Sequence, residues 1–342
     1  MEIAAIGIDI GKNCFHVAGF DARGNVVMRR RYSRTELIRE LANVPKCLIG
    51  MEACCGAHHL GRTLVAQGHD VRLIPPQYVK PFVKSHKNDL VDAEAVGEAV
   101  QRPTMRFVPL KTMDQLDLQA IHRVRARLVV QRTAVINQLR GLLLERGVTF
   151  PVGRRALVER FPDAIANPAV ALSPRFCQVL THLREEWRAL DDAIHDIDQE
   201  IARLAREDDA CCRLIKVPGI GPLTATAVVA AVGHGTAFTK GRDFAAWLGL
   251  VPLQHSTGGK TTLRGISKRG NSYLRFLFIH GARAVCRHHR RRPHQLGRWI
   301  AGLEARAHPN VVVVALANKL ARTAWAVLQR DAGYDGRLFA TA

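Results

Sequence analysis

Alternating apolar and polar positions at the start of the chain predict strands. Residues 3–9, 14–20 and 26–32 read as three short strands separated by turn residues at Gly11-Lys12-Asn13 and Gly24-Asn25, an antiparallel meander. The apolar run Lys46 to Met51 predicts a buried strand. A helix from about Ala57 to Gln67 and another strand from Asp70 to Ile74 follow, which makes the sheet mixed. After Pro75-Pro76, the Ala-, Val- and Glu-rich segment from Asp89 to Gln101 predicts a helix with an acidic first turn that stops before Pro103.

From about Gln115 the periodicity changes to that of long helices. Ile121, Val124, Leu128, Val135, Leu139 and Leu142 form a stripe broken near Gln131. In the next helix, Phe176, Leu180, Leu183, Trp187, Leu190, Ile194, Ile197, Ile201 and Leu204 alternate steps of four and three, a coiled-coil seam. Such a seam fits either an antiparallel hairpin of the two helices or contact with a second copy. A third region begins at Cys211, where Val217-Pro218-Gly219-Ile220-Gly221-Pro222 predicts a tight turn between two short helices, as in a helix-hairpin-helix. Gly219 and Gly221 would let that turn approach a backbone, and amides at the next helix start would meet phosphate. An ordinary helix turn is the alternative.

Charge sharpens this picture. Fifty Lys and Arg against thirty Asp and Glu give 342 residues a formal charge of +20, an excess that a polyanion such as nucleic acid would neutralise. Solubility alone and an acidic lipid surface are the competing explanations. The eight cysteines include no CxxC pair and no metal-ligand spacing to His, which fits a reduced compartment. Ile3 to Ile10 lacks the pattern of a signal peptide, and the apolar stretch Val311 to Leu316 meets Asn318, Lys319 and Arg322 before it could span a membrane. A cytoplasmic protein with no membrane partner is expected.

Four carboxylates stand out. Asp9 and Glu52 end predicted core strands, and Asp89 and Asp92, three apart, share one face of a predicted helix. Carboxylates clustered in a partly dry site are tolerable when hard divalent cations neutralise them, and two such ions serve phosphoryl transfer. Singly, each acid has an ordinary role as a strand end, an N-cap or a helix-dipole partner. Jointly, their order matches the layout of ribonuclease-H-like nucleases. A rival is the actin and sugar-kinase type of fold, with Gly7-Ile8-Asp9-Ile10-Gly11 as a phosphate loop, but that fold needs two such domains and this chain offers one.

A second chemical region runs from Trp247 through His255-Ser256-Thr257-Gly258-Gly259-Lys260 to Arg264, Ser267, Lys268, Arg269 and Asn271. A serine attacking phosphorus needs deprotonation and nearby positive charge, and Ser256 is the candidate, with Thr257 and Ser267 as alternatives. A serine in a Gly-rich loop is ordinarily a turn residue. Arg264, Lys268 and Arg269, with Lys260, are candidate phosphate contacts, and His255 is a candidate proton shuttle. The run Arg287 to Arg292 suits a nucleic-acid backbone.

Asp9, Glu52, Asp89, Asp92, the Val217 to Gly221 turn and the His255 to Lys260 segment together resemble the DEDD transposases, the Piv- and MooV-like recombinases of bacterial insertion sequences (family 110, its 1111 group). The resemblance covers essentially the whole chain and extends to Met51-Glu52-Ala53-Cys54, Leu73 to Phe82, Gln101-Arg102-Pro103-Thr104 and Ile279 to Arg283. It implies an α/β plus α fold. Residues 1–112 would form a RuvC-like, ribonuclease-H-like domain with a mixed sheet and helices, and 113–208 a helical coiled-coil region. Residues 209–342 would form a mostly helical transposase domain with the helix-hairpin-helix and the catalytic serine loop. It further implies Mg²⁺, or Mn²⁺, held by Asp9, Glu52, Asp89 and Asp92, and Ser256 forming a transient phosphoserine link to DNA. The implied partners are donor and target double-stranded DNA, a structured noncoding guide RNA, and further copies of the chain in a dimer or tetramer. A metal-dependent RuvC-like nuclease or junction resolvase with water as nucleophile is the alternative, followed by a nonenzymatic nucleic-acid binder and an ATPase.

Overall fold

The computed structural model describes residues 2–84, 88–167, 170, 172–288, 295–330 and 333–334. They form two compact units, Met1–Met113 and Asp114–Ala342.

The first unit is built on β1 (Ala5–Ile10), β2 (Cys14–Phe20), β3 (Val26–Ser33), β4 (Leu48–Glu52) and β5 (Asp70–Ile74), in the order β3-β2-β1-β4-β5. The first three strands make the antiparallel meander expected from the alternation, while β4 and β5 add in parallel. Helices α1 (Arg34–Ala42), α2 (Ala57–Ala66), α3 (Pro76–Val79) and α4 (Asp89–Val100) complete the unit. Ile6, Ile8, Phe15, Val17, Ile49 and Met51 form a core with Leu37 and Leu41 of α1 and Leu60 and Leu64 of α2. The opposite face of the sheet is covered by α4, which lies over β1, β2 and β4. Two glycines allow that close approach. A Cβ on Gly7 would stand 2.1 Å from the Ala93 carbonyl oxygen, and one on Gly97 would stand 2.2 Å from the Phe20 ring. Helix α1 is not among the elements expected from periodicity, although Ser33 and Glu36 form a capping box that fixes its start.

In the second unit, α5 (Met113–Leu144) and α7 (Pro174–Glu207) run antiparallel, with α6 (Arg154–Ala166) between them in the chain. At one end Val135, Leu139 and Leu143 of α5 pack with Leu157 and Phe161 of α6 and Leu180 and Trp187 of α7. Further along, the helices are tied by Arg132 to Asp191 at 2.9 Å and by Arg125 to Asp198. The stripe predicted on α5 is therefore corrected: Val124 is exposed, and the buried positions are His122, Val135, Leu139 and Leu143. Charged pairs occupy part of the helix interface, where a search for apolar residues finds nothing. On α7, every seventh residue of the predicted seam, Leu180, Trp187, Ile194 and Ile201, is buried, while Phe176, Leu183, Leu190, Ile197 and Leu204 are partly exposed.

The rest of the unit is α8 (Asp209–Ile215), α9 (Pro222–Val232), α10 (Gly241–Trp247), a hairpin of β6 (Pro252–Thr257) and β7 (Lys260–Ile266), α11 (Ser272–His288), α12 (Gln295–Glu304) and α13 (Pro309–Gln329). Helix α13 has the length and apolar composition of a membrane span, but Val312, Leu316, Leu320, Ala324 and Leu328 are buried in this unit's core. A buried polar chain runs from α5 to α9 and α11. His122 Nδ1 lies 3.1 Å from Tyr273 Oη and Nε2 3.0 Å from Thr226 Oγ1, and the Thr226 hydroxyl donates to the Pro222 carbonyl at 2.8 Å. With that hydroxyl proton committed, Nε2–H donates to Thr226, and a neutral imidazole would accept at Nδ1 from Tyr273. Burial agrees, pushing His122 down to about 4.

Candidate active site

Asp9 lies near the end of β1 and Glu52 ends β4. The strands are parallel with Ile8 opposite Met51, so the two acids follow side by side at the same sheet edge. Asn88 caps α4, its side chain accepting from the Leu90 amide at 3.0 Å, which puts Asp89 and Asp92 together in the first turn. Because α4 sits directly on Gly7, that turn arrives beside Asp9. Burial raises the Asp9 carboxyl above its ordinary value, and the charges of Asp89 and Asp92 raise it further, while His16 opposes them. Glu52 is raised by burial and then by Asp9 and Asp92. The four predicted acids are thus one electrostatic group, with Asp9 and Glu52 half-buried and Asp89 exposed.

Sequence reasoning missed His16. It sits directly across the β1–β2 ladder from Asp9, and its Nδ1 is 3.6 Å from Asp89 Oδ2. One ligand atom each from Asp9, His16 and Asp89 lies within 4.8 Å of the others, a spacing that suits a single cation. The signal was available, because a tight turn at residues 11–13 makes paired positions sum to 25. Hard oxygens on mutually repelling carboxylates, with one imidazole nitrogen, form a donor set that fits a divalent ion.

Ser256 belongs to the second unit. The segment expected as a loop is instead an antiparallel ribbon, with Ser256 paired to Thr261 and His255 to Thr262. Gly258 and Gly259, both at positive φ, make the two-residue turn that such ribbons require, and Thr257 and Lys260 flank them. Gln254 Nε2 donates to Ser256 Oγ at 2.8 Å, and Thr261 Oγ1 lies 3.3 Å from it. Strand alternation puts Gln254, Ser256, Thr261 and Leu263 on one face and His255, Thr257, Lys260, Thr262 and Arg264 on the other. His255, Lys260 and Arg264 therefore turn away from the serine. Lys268 and Arg269 are exposed in the loop after β7, where Lys268 adopts a positive φ of 54°.

The Gly219 turn joins α8 to α9. Gly219 has φ +85°, and a Cβ there would meet the Gly281 carbonyl of α11 at 2.9 Å. Its close backbone approach is thus to a neighbouring helix, which already accounts for the glycine. The Ile220 and Thr224 amides bond within the turn, and Pro222 has none. A Cβ on Gly221 would meet nothing within 4 Å, so the start of α9 is open on that side. The basic run from Arg287 lies outside the described residues from His289 onward.

Comparison with known proteins matches both regions. A transposase family of the IS110 DEDD type covers residues 6–147, and the family described as Transposase IS116/IS110/IS902 covers 211–296. The chain is 46% identical to a probable family 20 transposase of Pseudomonas aeruginosa over 98% of its length and 99% of the relative's. It is 44% identical to the transposase for insertion sequence element IS1111A of Coxiella burnetii, over 97% of this chain and 92% of that one. It is also 44% identical to the transposase for IS1328 of Yersinia enterocolitica, over 95% and 97%. The chain belongs to the IS116/IS110/IS902 family of transposases and is an enzyme of DNA strand transfer.

Proposed function

We propose that this transposase exchanges DNA strands through a serine nucleophile, Ser256, and a divalent cation held by Asp9, Glu52, Asp89 and Asp92. The observation that carries the metal assignment is geometric: parallel β1 and β4 put Asp9 beside Glu52, and the first turn of α4 brings Asp89 and Asp92 to them, with ligand atoms of Asp9 and Asp89 within 4.8 Å. Bound there, Mg²⁺ or Mn²⁺ would offset charge on the attacking or leaving oxygen of a phosphodiester. Ser256 is supported by its exposure on the ribbon and by Gln254, whose amide orients Oγ as a hydrogen-bond acceptor.

In the reaction, the Ser256 hydroxyl loses its proton as the Oγ–P bond forms. The bond from phosphorus to a deoxyribose oxygen breaks, and that oxygen takes up a proton. Attack by a hydroxyl of the partner strand then restores the phosphodiester and frees Ser256, so phosphoester bonds are conserved. Lys260, Arg264, Lys268 and Arg269, with the Gly219–Gly221 turn, would grip backbone phosphates irrespective of base. Sequence choice would fall to base pairing with a structured noncoding RNA carried by the element. The working assembly would be a dimer or tetramer in the cytoplasm.

A second reading, with water as nucleophile, draws on His255, which turns away from Ser256 and offers it no base. Purified protein incubated with Mg²⁺, element RNA and labelled donor and target DNA separates the two. A covalent protein–DNA adduct in the wild type and none in Ser256→Ala is expected. Cleavage in both without an adduct would move the chemistry to water.

A further inference from the structure

We propose that His16 is a ligand of the catalytic cation, forming with Asp9 and Asp89 a mixed nitrogen and oxygen site that favours Mn²⁺ over Mg²⁺. This rests on the reading of the carboxylate cluster as a metal site and adds to it a residue outside the four acids. His16 is fixed by backbone geometry, since β2 places it across the ladder from Asp9. Its side chain is 16% exposed, so the ring is held by its surroundings.

The two ring nitrogens have different neighbours. Nε2 faces the Cys14 sulfur at 3.9 Å, and that sulfur in turn accepts from Arg31 Nε at 2.7 Å. Nδ1 faces Asp89 Oδ2 at 3.6 Å, outside the ordinary hydrogen-bond range. The ring therefore presents Nδ1 toward the carboxylates beyond hydrogen-bond reach, and a cation bound at Nδ1 would leave the ring proton on Nε2, facing the Cys14 sulfur. Two ligands bound at about 2.1 Å from one cation stand about 3–4 Å apart, depending on the angle between them. The Nδ1–Oδ2 separation falls in that interval, and the wider spread of the three ligand atoms, within 4.8 Å, leaves room for the ion among them.

His16 groups by distance with Asp9 and Asp89. The imidazole belongs to one side of the cluster, and that side is the one softened by nitrogen. Mg²⁺ prefers oxygen donors and keeps its waters, whereas Mn²⁺ tolerates an imidazole in its shell.

Mn²⁺ bound to the full-length protein reports its own ligands. Pulsed electron paramagnetic resonance is expected to show a directly coordinated imidazole ¹⁴N in the wild type. His16→Asp, which keeps a donor oxygen, should bind Mn²⁺ without that coupling and should let Mg²⁺ compete about tenfold better, a factor in the range that changes around a metal ligand produce. His16→Gln should weaken Mn²⁺ binding by at least about tenfold, the loss that follows removal of even a supporting partner of a metal ligand. Mn²⁺ bound to wild type with no nitrogen coupling, or with coupling unchanged in His16→Asp, overturns the role of His16 and leaves the carboxylate site standing. Mn²⁺ binding as tight in Asp9→Asn as in wild type overturns the carboxylate site and His16 with it.

Discussion

Asp9 is where the repulsions of the first unit meet, since Asp89 and Asp92 of α4 raise it and it in turn raises Glu52 at the end of β4. Its folded carboxyl, like that of Glu52, titrates above the ordinary value. Between the unfolded and the raised folded values, the metal-free fold therefore binds more protons than the unfolded chain. Stability from these groups is full below the unfolded values, near about 4, and is lost as pH rises through the raised folded values. A bound cation removes the penalty by favouring the ionised forms. Asp9→Asn is accordingly expected to melt about 2 °C above wild type in EDTA at pH 7, a size set by the usual relation of melting shift to free energy. Mg²⁺ is expected to raise the melting temperature of wild type, and the same variant should lose that gain. Thermal melts with and without Mg²⁺ decide it, and a variant that melts lower in EDTA refutes the repulsion. At this scale the four acids are legible because strand ends and a three-residue spacing are one-dimensional signals. His16 and Gln254 are not, because their significance lies in a neighbour that only the paired strands bring close.

Helix α4 delivers half of the candidate metal site, and it does so only as far as Gly7 and Gly97 let it approach the sheet. A methyl group at Gly7 would overlap the Ala93 carbonyl, which is backbone and cannot rotate away. Gly7→Ala should cost about 1–3 kcal/mol as an overpacked core does, and it should abolish Mg²⁺-dependent stabilisation by displacing Asp89 and Asp92. Gly141→Ala, in α5 with nothing within 4 Å of the new methyl, should leave that stabilisation intact. Chemical denaturation of both variants with and without Mg²⁺ tests the pair. Periodicity gives most elements of the first unit to within two residues, because most strands and helices there bury an apolar face, β3 excepted. It fails on α5, where Arg125 and Arg132 meet Asp198 and Asp191 on the face turned to α7. The ribbon of β6 and β7 escapes the same search because it is exposed on both faces, so burial imposes no alternation of apolar residues. Its Gly258-Gly259 turn between Thr257 and Lys260-Thr261-Thr262 is nonetheless a hairpin signal.

Taken whole, the molecule carries twenty more positive than negative charges, and a transposase must hold a polyanion against salt. Replacing Lys260, Arg264, Lys268 and Arg269 together by Gln should reduce the slope of log affinity against log salt. The reduction expected is about 0.9 for each duplex phosphate left without its cation, roughly 3 to 4 for all four. Binding titrations on duplex DNA at several salt concentrations measure it. An unchanged slope would show that the ribbon and its following loop do not touch phosphate. The ribbon's two faces carry a further consequence. Gln254, Ser256, Thr261 and Leu263 occupy one face without a charge, Lys260 and Arg264 lie on the other with His255, Thr257 and Thr262, and a two-stranded sheet is only one peptide layer thick. A polynucleotide lying against Ser256 would therefore face the side of the ribbon opposite Lys260 and Arg264, and one gripped by those cations would lie on the side away from the serine. If Ser256 is the nucleophile and these cations hold phosphate, the ribbon would stand as a partition between two strands of nucleic acid, one offered for exchange and the other held apart from it.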